Sequence, residues 1–215
     1  MNTGAESEIT NALSFDVEHW YTATLLSDEI RNPQVHIDES VQIVLDLLAE
    51  YDVRSTFFII GAVANEHPEL VGKIVDAGHE LASHGQTHTP LPQLTPDEFE
   101  SELKTSRSAL EDTTGVSPEG FRAPNFSVTK KTSWAFSKLA ASSYQYDSSV
   151  FPMRTPMYGV HTTGLRPYQV HLAAPFDSLN PSSRESDIVE WPLAVTDTKP
   201  RLPIAGGFYA RLLPV

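Results

Sequence analysis

Cysteine is absent from the 215 residues. That excludes disulfides, thiolate metal ligands and a cysteine nucleophile. Positive charge is short. Lys and Arg total 15 against 28 Asp and Glu, with lysine especially scarce, and the formal net charge is −13. A phosphate backbone is repelled by such a surface, so no nucleic-acid partner is expected. The acidity reads as that of a soluble acidic enzyme or of a surface adapted to high salt. No apolar run has the length of a membrane span. Met1 to Thr10 shows no basic segment followed by an apolar one, so no signal peptide is read and the default location is the cytoplasm. Internal repeats and dividing linkers are also missing. One domain over residues 1–215, with a sizeable core, is expected.

The informative stretch is Ser83-His84-Gly85-Gln86-Thr87-His88. Two histidines at i and i+4 share a face if the chain makes a helical turn there, and two imidazoles then form a metal clamp short of one or two ligands. Such pairs are also ordinary surface residues, so a carboxylate from elsewhere must decide.

Asn11 to Trp20 reads as a strand that turns polar at its end, with Asp16 and Glu18 on one face. Like charges side by side there mark either a solvated edge or a site with a cation between them. An amphipathic helix follows, with Asp38 as N-cap and Val41, Val44, Leu45 and Leu48 as its apolar stripe. Ser55 to Ile60 is a buried strand. Pro68 opens a helix that Gly78 closes, and His79 to Ser83 is the third strand. Thr95-Pro96-Asp97-Glu98 is a capping box for a helix ending near Gly115. Short strands are expected at Gly120 to Pro124, Tyr144 to Asp147 and Ile188 to Leu193, and a helix at Thr132 to Ala140. Residues from about Val150 to Asp187 form a long loop, functional or mobile.

Strand alternating with helix predicts a parallel sheet or barrel, with its site at the C-terminal strand ends. Asp16 and Glu18, His84 and His88, Arg122, and Asp147 all fall there. Two histidines and a carboxylate leave open positions on a cation. Water on such a cation becomes a usable nucleophile, and a second carboxylate can take its proton. Arg122 suits the task of holding that carboxylate ionised. These parts serve metal-assisted hydrolysis of an amide or ester.

Ser14 to Glu18, Ser83 to His88, Gly120 to Pro124 and Tyr146-Asp147-Ser148-Ser149 resemble the first four motifs of the polysaccharide deacetylase family, the NodB homology domain of carbohydrate esterase family four. His67-Pro68-Glu69-Leu70-Val71, Gly78-His79-Glu80-Leu81, Phe151-Pro152 and Gly206-Gly207-Phe208 accompany them, so the resemblance covers nearly the whole chain. The Asp-Val-Glu first motif is similar to that of the branch associated with exopolysaccharide synthesis.

The resemblance implies an α/β fold, a distorted, incomplete (β/α) barrel of about six to seven strands. It implies a hydrolase that removes acetyl from an N-acetylated sugar or glycan. Asp16 would be the general base, oriented by Arg122. His84 and His88 would bind a divalent cation, usually zinc, with Glu18 as third ligand and His19 as the alternative; strand alternation favours Glu18. Asp147 would join that network, line the sugar pocket or cap a turn. Pro124 and Trp191 would contact the sugar, although a core tryptophan is the commoner case. The family's general acid is a histidine in a last motif, and this chain stops at Arg211 to Val215 without one. His161 and His171 match no acid position. A truncated C-terminal part is therefore expected, with an open strand edge that a second copy could pair with as a homodimer. Two rival functions are hydrolysis of a cyclic amide and a sugar-binding domain without catalysis.

Overall fold

The computed structural model describes residues 11–22, 33–155, 158–177 and 188–204. Seven strands form one sheet: β1 (Ser14–Val17), β2 (Thr56–Ile59), β3 (Glu80–Ser83), β4 (Gly120–Phe121), β5 (Tyr146–Asp147), β6 (Tyr168–Gln169) and β7 (Val189–Glu190). Their order is β1-β2-β3-β4-β5-β7-β6. All neighbours are parallel except β6, which runs antiparallel to β7. Helices α1 (Ile37–Glu50), α2 (Gly61–Glu66), α3 (Pro68–Asp76), α4 (Pro96–Thr114) and α5 (Ala135–Ala141) connect them. The sheet is open among the described residues, an α/β architecture of the incomplete-barrel kind. No helix among them is long and apolar enough to cross a membrane.

The elements follow from local chemistry. In α1, Ile37, Val41, Leu45 and Leu48 return to one side every three or four residues and are the buried ones. Strand β2 is aromatic and β-branched, and its two faces are buried differently: Phe57 and Ile59 pack against the helices, while Phe58 on the other face lies under the Arg122 guanidinium and edge-on to Tyr146. The capping box of α4 forms: Thr95 N–H donates to Glu98 Oε2 (2.7 Å) and Glu98 N–H to Thr95 Oγ1 (3.3 Å). Gly115 ends the helix at φ 72°, a left-handed position where a side chain would be strained.

Several boundaries differ from expectation. Helix α1 begins at Ile37, and Asp38 caps nothing; its carboxylate lies 2.8 Å from His67 Nδ1. Helix α2 was not foreseen, because Gly61-Ala62-Val63-Ala64 is too short a run to show a period. Strands β4, β5 and β7 are shorter than their apolar runs, since each strand gives way to turns and side-chain hydrogen bonds at the site. The long loop carries β6, which adds antiparallel to the sheet edge. Residues 178–187 of that loop, Met1 to Thr10, Gly206-Gly207-Phe208 and Arg211 to Val215 lie outside the described residues.

Two apolar bodies pack against the sheet. One joins Leu45, Phe57, Leu70 and Ile74; the other joins Phe99, Leu103, Phe121, Phe136 and Leu139. Leu103 is fully buried between α4 and the sheet. Leu103→Ala removes buried methyl groups and leaves a cavity, so we expect a loss of about 2–5 kcal/mol, read as a lower urea midpoint with an unchanged slope.

Candidate active site

The C-terminal ends of β1, β3, β4, β5 and β7 meet on one side of the sheet, where the chain leaves each strand for a loop. Asp16 stands on β1 opposite Phe58 in the register. Arg122 follows β4 and reaches back across it. Its Nη1 donates to Asp16 Oδ1 (2.8 Å), its Nε to the Ser148 carbonyl (2.9 Å) and its Nη2 to Ser148 Oγ (2.9 Å). The guanidinium carbon lies 3.9 Å from the Phe58 ring centroid, so its flat face is covered as well as its edges. Burial by itself would raise the Asp16 pKa. The Arg122 charge and hydrogen bond overcome this and hold the carboxyl below its ordinary value, so Asp16 is ionised at neutral pH.

The histidine pair does not form a helical turn. After β3 the chain enters a loop in which Gly85 (φ 82°) and His88 (φ 59°) are both left-handed. That conformation costs a non-glycine residue about 1–3 kcal/mol and persists only where its surroundings enforce it. The enforcement comes from Glu102 on α4, whose Oε2 accepts from Gln86 N–H (2.8 Å) and Thr87 N–H (3.0 Å). From the other side, Gly61 N–H donates to the Gly85 carbonyl (2.9 Å). The loop brings the two rings to 5.3 Å between centroids.

Each imidazole is oriented from behind. His84 Nδ1 lies 2.7 Å from the Arg122 carbonyl and His88 Nδ1 3.2 Å from the Thr22 carbonyl. A carbonyl only accepts, so both Nδ1 atoms carry the proton and both Nε2 atoms turn a lone pair inward. Burial pushes the His84 pKa down, against the pull of Asp16 and Glu18, which keeps the ring neutral. His88 Nε2 sits 2.8 Å from Glu18 Oε2. Two acceptors at that distance require a proton or a cation between them. One donor atom each from Glu18, His84 and His88 lies within 4.8 Å of the others. Two imidazoles and a carboxylate, with backbone acceptors behind both rings, fit a divalent cation.

The sequence profile of the polysaccharide deacetylase family matches residues 9–144. The chain belongs to this family. Its deacetylases are metalloenzymes in general, and the five groups Asp16, Glu18, His84, His88 and Arg122 all lie in the matched segment. A chitooligosaccharide deacetylase of a Bradyrhizobium species is 38% identical over 82 residues, which are 38% of this chain and 37% of that protein. A peptidoglycan-N-acetylglucosamine deacetylase of Listeria monocytogenes is 32% identical over 88 residues, 41% of this chain and 19% of that protein. Among solved structures, a Mycobacterium smegmatis protein described as a polysaccharide deacetylase superposes with a TM-score of 0.63 at 26% identity, over 85% of this chain and 58% of that one. The chain thus spans well under two thirds of the length of these relatives.

The other candidate residues of this deacetylase-family chain stand outside the Glu18, His84 and His88 group. His19 is turned away from the histidine pair, with its Nε2 2.9 Å from Glu66. Asp147 does not line an open pocket. It is fully buried, and its Oδ1 accepts from Ser149 Oγ (2.5 Å), a turn-capping contact. Pro124 is buried at the start of a short 3₁₀ turn. The Trp191 side chain is exposed, and its carbonyl accepts from Ser148 Oγ (2.9 Å). His161 lies exposed on the loop. Sequence reasoning missed Glu102, Ser148 and Glu190. Ser148 was visible only as part of the Tyr146 to Ser149 motif, and nothing in the sequence marked the other two.

Glu190 is fully buried on β7 and pairs in register with Asp147 on β5. Its Oε1 accepts from Val150 N–H (3.0 Å). Burial first, then the charge of Asp147, pushes the Glu190 pKa well above 4.5, and burial likewise raises Asp147. The other groups facing Glu190 are Arg122, whose charge acts to lower its pKa, and the Tyr168 phenol. The pair therefore keeps a proton to higher pH than the unfolded chain does. Stability from this proton is complete below the unfolded value and is lost as pH rises through the folded one. Glu190→Gln should flatten that loss: its urea midpoint should fall less than the parent's between pH values below 4.5 and neutral.

Proposed function

We propose that this chain is a single catalytic domain that hydrolyses the N-acetyl group of an amino-sugar-containing glycan. The observation that carries the reading is the 2.8 Å Asp16–Arg122 pair beside the Glu18, His84 and His88 cluster. A general base, its orienting cation and a three-donor metal group stand together at the strand ends. The glycan substrate is supported by the relatives named for chitooligosaccharides and for peptidoglycan N-acetylglucosamine. Within that class, Asp16-Val17-Glu18 supports the exopolysaccharide-associated branch. Zinc is the metal the donor set suits, because two imidazole nitrogens and one carboxylate oxygen match its borderline character.

Glu18, His84 and His88 would hold the cation. Bound there, a divalent cation would supply a water of lowered pKa and polarisation of the acetyl carbonyl. Asp16, ionised by Arg122, accepts the proton of the attacking water. Hydrolysis adds hydroxide to the acetyl carbon and a proton to the sugar nitrogen as the C–N bond breaks, so the products are acetate and a free amine. Arg122 keeps Asp16 on its side of the site. Because Ser148 takes two of its N–H groups, the guanidinium cannot swing away when Asp16 becomes neutral.

The test is acetate release from chitooligosaccharides and from N-acetylated exopolysaccharide, with and without a chelator. Activity should vanish on chelation and return with zinc. Asp16→Asn should lower kcat by about 10²–10⁴-fold while bound metal stays. His84→Ala should lose metal and activity together. Bound metal without acetate release from any N-acetylated glycan would overturn the reading in favour of sugar binding alone.

A further inference from the structure

A second group of donors lies at the other side of Glu18. His19 follows the end of β1, Glu66 closes α2, and His67 is the single residue between α2 and α3. One donor atom each from His19, Glu66 and His67 lies within 4.8 Å of the others. We propose that these three residues form a second divalent-cation site, for a borderline ion such as Zn²⁺, supported by Asp38 and tying the end of β1 to the α2–α3 junction.

Three observations carry this. The first is chemical: two imidazoles and a carboxylate are the same donor types as in the catalytic cluster, and they suit the same class of ion. His19 Nε2 is 2.9 Å from Glu66 Oε2. The second is the support behind a ligand. His67 Nδ1 lies 2.8 Å from Asp38 Oδ2, the carboxylate–imidazole arrangement that fixes a metal-binding ring and leaves Nε2 as the donor. Asp38 is at the start of α1, where a helix-capping role was expected, yet it turns to His67 instead. The third is disposition. The His19 and His67 side chains are 8% and 18% exposed, while Glu66 and Asp38 are 59% and 60% exposed. The rings are thus held by packing, with His19 stacked on Tyr21 and edge-on to His67. The carboxylates form a solvent-facing rim. Isolated exposed imidazole–carboxylate pairs contribute little to stability. Two such pairs convergent from three elements, with formal charge −2 when the rings are neutral, are matched by one divalent ion. His67 caps both α2 and α3 without a side-chain capping bond, so its ring is committed to neither helix.

The experiment is metal content and zinc titration calorimetry on the chain. The parent should bind two ions. His84→Ala/His88→Ala should keep one, and adding His67→Ala to that double variant should remove it. In the parent, Glu66→Gln, a change at an exposed side chain that leaves folding intact, should weaken one of the two ions at least tenfold. Asp38→Asn should weaken the same ion about 10–100-fold. A parent that binds a single ion, lost in His84→Ala/His88→Ala, would overturn the proposal, as would a second ion indifferent to Glu66→Gln. A single ion that survives His84→Ala/His88→Ala but not His67→Ala would support this site while removing the catalytic metal, so the two readings fail separately.

Discussion

The site depends on how one guanidinium is held. Arg122 lies against the Phe58 ring, donates two N–H groups to Ser148 and one to Asp16, and offers its own carbonyl to His84. Asp16 and His84 are therefore joined through a single residue. A change that moves Arg122 alters the ionisation of Asp16 and the tilt of His84 together. Removing one partner of such a desolvated pair typically costs about 3–5 kcal/mol, because the other charge is stranded. Arginine is required for geometric reasons: its planar fork makes these bonds while its face stays in contact with an aromatic ring.

The parallel sheet makes the arrangement available. In it, every strand ends on the same side, so residues far apart in sequence arrive together without a long loop between them. Short strands carry a consequence. At β4, β5 and β7 the ladder stops after two residues, and side chains must satisfy the backbone that follows. Ser149 Oγ accepts from Ala123 N–H (2.7 Å), and Glu190 accepts from Val150 N–H. The buried Asp147–Glu190 pair is part of this scaffold. It supports the Ser148 segment that cradles Arg122.

Glu18 and His19 are sequence neighbours that face opposite ways. Glu18 meets His88, and His19 meets Glu66. The end of β1 thereby serves two clusters, one at the strand ends and one at the helix junction. Order in the second would fix the backbone from which Glu18 projects.

The sequence by itself determined the alternation of strand and helix, the capping box of α4, and the identity of the groups at the strand ends. These follow from local periodicity and from residue types with few other uses, such as paired acids closing an apolar run. It also carried the family motifs from Ser14 to Ser149. Tertiary structure alone decided how the groups meet. The histidine pair converges through a left-handed loop held by Glu102, which lies 14 residues beyond His88 on another element. The spacing of four residues suggested a helix because spacing contains only local geometry. Asp147 looked like a site residue by position, but its environment buried it against Glu190, 43 residues away. Asp38 looked like a helix cap, and a histidine from the next helix pair claimed it. Hydrogen-bond partners so distant in sequence leave no local pattern, because which donor meets which acceptor is settled only when the helices pack on the sheet.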